Sequence, residues 1–397
     1  MVLLLYTNSM LTKLRRLYED TNLYHYTLFL ALFLAVYGYR LRSYAPSLLP
    51  EEVSQLAASR APLVSGEFLS FPPYNFVQRT ATYLFGADSL YAVRLPSVLF
   101  GFIAVCAFFY IVKKLSREKY AYFGALLFGF STFMLHAART AEPTIYLMAL
   151  GLSIGALAIK VYESRNTNLL ILLTVMSLLP LYTPGGWLVV AFSAPGIFYL
   201  IRRSVINLRS KTTLAYLILV VAALAPLLYT LIHTDLSPSV LCNCASFSVD
   251  NVTTAATALV LTYEAPQSLW AGEFAIVGLV GSILATLGLI RLSLDWRSKR
   301  AALFVVSTTL GLILAGTTSS RVGLAVLVPA IYLLVSYGYQ VLSRRWENTF
   351  PTNPAARSFG SLVLGFLLLL ILNYQMQRYF VVWTQRPETL QYFETTP

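Results

Sequence analysis

The sequence predicts an all-α polytopic membrane protein of about eleven transmembrane helices. Three observations carry this. Of the 397 residues, 57% are hydrophobic and only 12% are charged, with a mean hydropathy of +0.67. Apolar runs long enough to cross roughly 30 Å of hydrocarbon recur along the whole chain. The basic residues cluster on alternate connections between those runs. A chain this apolar and this poor in charge is excluded from the ordinary soluble classes.

Taken in order, the expected spans lie near 24–42, 95–112, 119–136, 143–161, 168–183, 186–201, 212–232, 273–291, 301–317, 322–342 and 358–376. The segments on one side of them carry Lys13/Arg15/Arg16, Lys113/Lys114/Arg117/Lys119, Lys160/Arg165, Arg202/Arg203/Arg209/Lys211, Arg291/Arg297/Lys299/Arg300 and Arg344/Arg345/Arg357. That set includes every lysine of the chain. By the positive-inside rule this side is cytoplasmic, so the N-terminus is expected inside and the C-terminus outside. The net charge of +12 then belongs against the anionic lipid surface, and nucleic acid is excluded as its partner. The basic residues of the outer side are all arginine, which suits fork-like binding of phosphate or carboxylate. Plain topological bias against outer lysine accounts for the same pattern.

The whole chain, 1–397, reads as a single transmembrane domain with two long outer loops, 44–94 and 233–272, and with no soluble C-terminal domain after the last span. The first loop mixes short amphipathic stretches with prolines, as expected of helices lying along the interface. The second contains Asn251-Val252-Thr253, a formal glycosylation sequon. Cys106, Cys242 and Cys244 form no disulfide framework. His25, His136 and His233 have no metal-ligand spacing, so no metal is expected.

The residues suited to chemistry gather in and after the first loop. Leu49-Pro50-Glu51-Glu52 places adjacent acids just outside a membrane helix, where charge is costly and usually functional. The same two acids would also suit the N-terminus of an interfacial helix after Pro50. Arg94 sits where an arginine anchors a span by snorkelling, with Asp88 as its expected partner. Arg139 and Glu142 stand three apart at a helix end, spaced either for a local ion pair or for a shared site, with His136 one turn earlier. A transporter would need ionisable groups at mid-membrane and broken helix pairs, and the expected spans have almost none of the former in their central turns.

Pro50-Glu51-Glu52, Pro72-Pro73-Tyr74, Tyr83-Leu84-Phe85-Gly86, Arg94-Leu95-Pro96-Ser97 and Phe100-Gly101 together resemble the GT-C superfamily of membrane glycosyltransferases. The likeness is to the protein O-mannosyltransferase and aminoarabinose transferase branch, and Arg139-Thr140-Ala141-Glu142-Pro143 and Arg321 with Pro329 extend it. The resemblance implies a GT-C-like fold and an inverting transfer of sugar from a polyprenyl-phosphate donor to an acceptor on the outer face; the short loops and compact length favour a bacterial inner membrane over the endoplasmic reticulum. The donor is a lipid-linked substrate and no cofactor is implied. Glu51 is then the candidate base, with Glu52 orienting acceptor or loop. Arg139 and Arg321 are candidates for the donor phosphate, Glu142 for orienting Arg139 or touching the sugar, and His136 for lining the same cavity.

The chain departs from the family's pattern at three places. Glu51 stands where aspartate is common, Phe71 where a lysine is, and the Tyr182 region lacks another lysine. These departures imply either an enzyme with altered substrate contacts or a GT-C-like subunit without catalysis that scaffolds a larger membrane complex.

Overall fold

The computed structural model describes residues 21–41, 48–63, 65–86, 89–116, 118–204, 218–221, 224–225, 228, 247–260 and 275–387. Every regular element among them is helical. The expected span 212–232 lies largely outside the described residues, as do Asp88, Cys242, Cys244 and the last ten residues.

Helix α1 (Thr21–Gly38) precedes a run of short helices in the first loop: α2 (Pro50–Arg60), α3 (Gly66–Leu69) and α4 (Pro72–Phe85). These realise the expected interfacial stretches, and α2 and α4 each begin with proline, whose fixed φ suits a first turn. There follow α5 (Leu90–Leu115), α6 (Glu118–Gly129), α7 (Thr132–Arg139), α8 (Thr144–Ser164), α9 (Thr167–Leu178) and α10 (Gly186–Ser204). The remainder is α11 (Val249–Val260), α12 (Gly278–Leu294), α13 (Lys299–Thr317), α14 (Ser320–Thr349) and α15 (Pro354–Gln377), the last continued by a wide π turn (Arg378–Val382) and a short 3-10 turn (Trp383–Gln385).

Among the described residues, five helices are long and apolar enough to cross a membrane, six if α6 and α7 count as one bent span, and four shorter apolar helices join them. Ten of the expected spans fall on these helices. The chain is an integral membrane protein.

The expected span at 119–136 falls on a bent pair, with α6 and α7 meeting at 63°. A broken helix inside a membrane must find partners for its freed backbone groups. Here Tyr37 donates its hydroxyl to the Gly129 carbonyl at 2.8 Å, and the Ser131 hydroxyl accepts from Met134 N–H at the start of α7. The Gln375 side chain of α15 accepts from both the backbone N–H, at 3.2 Å, and the hydroxyl of Thr132. Polar groups from two other helices thus hold the break open, and hydropathy alone reads through it.

Small residues set the closest approach, as expected where lipid is as apolar as the helix faces. A Cβ at Gly338 on α14 would strike the Leu284 carbonyl of α12, and one at Gly288 would strike the Leu334 carbonyl. Gly338→Leu should therefore lower stability by about 3 kcal/mol, the upper end for overpacking. Thermal unfolding in detergent would read the loss, and a Tm unchanged from wild type would show that the helices can part freely.

Candidate active site

The site is assembled where the first loop meets the N-terminal ends of α5 and α14 and the C-terminal end of α7. Its foundation is Glu52, only 1% exposed. Its carboxylate takes a two-pronged grip from Arg94, with Nε to Oε1 at 2.9 Å and Nη2 to Oε2 at 2.8 Å. It also accepts from the backbone N–H of Ala141 at 2.7 Å and of Leu49 at 3.0 Å. Arg94, equally buried, donates in addition to the Leu41 carbonyl at 3.2 Å. A buried charge pair is tolerable only when its remaining donors and acceptors are met, and these are. One carboxylate therefore ties α2, α5, the end of α1 and the α7–α8 turn into a single unit.

The neighbouring motifs lock onto the same unit. Tyr74 of Pro72-Pro73-Tyr74 shares a 2.7 Å hydrogen bond with Ser97 of Arg94-Leu95-Pro96-Ser97. Gln78 donates to the Val93 carbonyl at 2.9 Å, within the turn that Pro96 disturbs. Asn75 bridges α2, through Gln55, to the Phe68 carbonyl of α3. Phe68 and Leu69 in turn pack on Tyr182, at the turn before α10.

Glu51, one residue before Glu52 and so rotated to another face of α2, is left at the surface with 37% of its side chain exposed. It meets Arg321 of α14, Oε1 to Nη2 at 3.1 Å. The other Arg321 nitrogen lies 3.7 Å from Oε1 of Glu142, which also accepts from the Thr144 hydroxyl at 2.7 Å. Burial pushes the Glu142 carboxyl above the usual range, while Arg321 and Thr144 pull it back down. Two acids thus flank one half-exposed guanidinium, on a buried base that fixes their positions.

Below Arg321, α14 lines an apolar cavity of about 370 Å³. Its walls include Met148, Gly151 and Gly155 of α8, Phe192 and Gly196 of α10, and Val326 and Pro329 of α14. Val326 is five residues from Arg321, about 7.5 Å along the helix. A cationic end and an apolar slot therefore share one helix.

The structure brings together Glu51, Glu142 and Arg321, and it places the other expected residues differently. Arg139 is 1% exposed and turned into the fold, where it donates to the Val36 and Tyr37 carbonyls at the end of α1 at 2.8 and 3.0 Å. Its guanidinium also lies 4.8 Å from the Phe380 ring centroid. A cation at a helix C-terminus satisfies both carbonyls and dipole, which gives Arg139 an evident structural role. His136 is buried edge-on against Trp383 at 5.1 Å, beneath the cluster. Arg94 is corrected from a snorkelling anchor to the buried partner of Glu52. Its signal was the acid pair itself, since adjacent residues on a helix point about 100° apart and the two acids can take different surroundings.

Two comparisons bear on the fold. Residues 71–233 match the family described as dolichyl-phosphate-mannose-protein mannosyltransferase. ArnT from Cupriavidus metallidurans in the apo state aligns with a TM-score of 0.60 at 13% identity, covering 94% of this chain and 75% of that one. The structure of ArnT from the same organism bound to undecaprenyl phosphate aligns at 0.55 and 14% identity, over 93% and 77%. No curated protein sequence matches the chain.

Proposed function

We propose that this chain, which carries the fold of the GT-C superfamily of membrane glycosyltransferases, moves a sugar from a polyprenyl-phosphate donor to an acceptor at the outer membrane face. The observation that carries the reading is Arg321 at the junction of a paired-carboxylate surface and an apolar slot. In this reading Arg321 holds the donor phosphate, the first part of the prenyl chain lies in the slot, and Glu51 is the base. The undecaprenyl phosphate bound by the similar ArnT supports a lipid of that class.

The ion pair between Arg321 and Glu51 is partly exposed, and such pairs are worth at most about 1 kcal/mol. A phosphate, which offers the guanidinium a bidentate acceptor, therefore displaces Glu51 at little cost. The displaced carboxylate is left ionised beside the incoming acceptor, as a base must be. The acceptor hydroxyl or amine attacks the anomeric carbon as Glu51 takes its proton. The bond from that carbon to the phosphate oxygen breaks, and polyprenyl phosphate leaves on Arg321. A single displacement with inversion sets base and leaving group on opposite faces of the sugar, which requires the ion pair to part as the donor enters. Glu52 acts through Glu51 by fixing α2, Arg139 fixes α1 against α7, and Glu142 orients Arg321. His136 supports this floor from beneath.

Titration of the purified protein with polyprenyl phosphate tests the reading. Arg321→Ala should weaken binding about 10–100-fold, the worth of a lost hydrogen-bonded charge. Gly151→Leu should weaken it independently: a side chain at Gly151 meets open space, so the variant fills the slot without distorting the fold. Wild-type affinity in both variants would refute the proposed donor site.

A further inference from the structure

We propose that the opposite end of α14 forms a binding site for the headgroup of an anionic phospholipid. Gln340 lies 19 residues beyond Arg321, about 28 Å along the helix, and so near the other membrane surface. It is 1% exposed, and neither its amide nitrogen nor its oxygen has a hydrogen-bond partner in the structure. An amide buried with both ends unmet costs a few kcal/mol unless a ligand or water meets them.

Gln340 stands between two cavities that differ in character. On one side is a polar pocket of about 300 Å³, lined by Arg291 of α12 and by Tyr337, Arg344 and Arg345 of α14. On the other is a small apolar cleft of about 30 Å³, walled mainly by leucines and Phe304 and bordered by Arg300. The pocket opens just beyond Gly288 and Gly338, where α12 and α14 touch backbone to backbone.

Among the described residues, no ion pair joins Arg291, Arg300, Arg344 or Arg345 to an acid. Glu347, the acid nearest on α14, is engaged by Lys119 of α6. Arg300 lines the cleft and stacks over Tyr337, which borders both cavities, with 4.8 Å between guanidinium and ring centroid. Four arginines without acidic partners ask for an anion, and Gln340 asks for an acceptor and a donor at once. A glycerophosphate headgroup supplies all three: its phosphate meets the arginines and the amide N–H, and its free hydroxyl donates to the amide oxygen. The pocket lies towards the end of a helix long and apolar enough to span the membrane, at the level of lipid headgroups, and this favours a lipid over a free anion. Basic pockets between helices at the cytoplasmic surface bind such headgroups in this way.

The test is native mass spectrometry of the full chain released from nanodiscs of phosphatidylcholine with or without phosphatidylglycerol. Wild type should retain phosphatidylglycerol preferentially. Arg291→Gln with Arg344→Gln should reduce that retention by about fivefold per arginine. Gln340→Met keeps the side-chain volume and all the arginines, and it should reduce retention as well. A variant that fails to fold would lose bound lipid of every kind, so unchanged phosphatidylcholine binding is the control. Equal retention of phosphatidylglycerol in wild type and both variants would overturn the proposal. So would stabilisation of the protein by inorganic phosphate with none by phosphatidylglycerol, which would assign the pocket to a free anion.

Discussion

Glu51→Gln is expected to slow sugar transfer by about 10²- to 10⁴-fold, the usual contribution of a positioned general base. The substitution keeps the side-chain shape and removes only the proton acceptor. Glu51 is partly exposed and its bond to Arg321 is weak, so thermal stability should hardly change. Donor affinity should stay the same or rise slightly, because Arg321 no longer has to leave a carboxylate. The diagnostic pattern is a loss in kcat without a loss in donor binding or in Tm. Transfer at the wild-type rate would remove Glu51 from the chemistry.

The second large effect belongs to the residue beside it. Glu52→Leu and Arg94→Leu should each destabilise the fold by about 3–5 kcal/mol, because each leaves a full charge buried without its partner. The double variant removes both charges and should recover much of the loss. Thermal unfolding in detergent of the two single variants and the double variant completes a cycle that isolates the pair. If the double variant lost the sum of the two single losses, Glu52 and Arg94 would be acting independently, contrary to their paired geometry. Adjacent acids one bond apart in sequence are thus expected to fail in opposite ways. Glu51 should fail in rate, and Glu52 in stability.

That division was only half legible in the sequence. Pro50-Glu51-Glu52, Pro72-Pro73-Tyr74 and Arg94-Leu95-Pro96-Ser97 marked the site, and the structure ties these three segments together through Glu52–Arg94 and Tyr74–Ser97. Apolar run length and charge alternation placed ten of the spans on apolar helices of the structure, because those signals are local. The break between α6 and α7 escaped, because Tyr37 and Gln375, which satisfy it, are distant in sequence. Arg139 was harder still. An arginine at a helix end reads the same whether it faces a substrate or the carbonyls of a neighbouring helix, and only the packing of α1 decides that it faces Val36 and Tyr37. Gln340 has no sequence signal at all: one glutamine in an apolar helix becomes notable only when its surroundings are found to offer it nothing.

The measurement that tests the donor assignment most directly is mass spectrometry of the lipids that wild-type protein carries through gentle detergent purification, beside those carried by Arg321→Ala. A polyprenyl phosphate or its sugar adduct on the wild type, absent from the variant, is the predicted result and would also identify the class of sugar. Ordinary phospholipids alone on both proteins would contradict it, and would leave the Glu51–Arg321–Glu142 cluster as a scaffold contact within a larger membrane assembly.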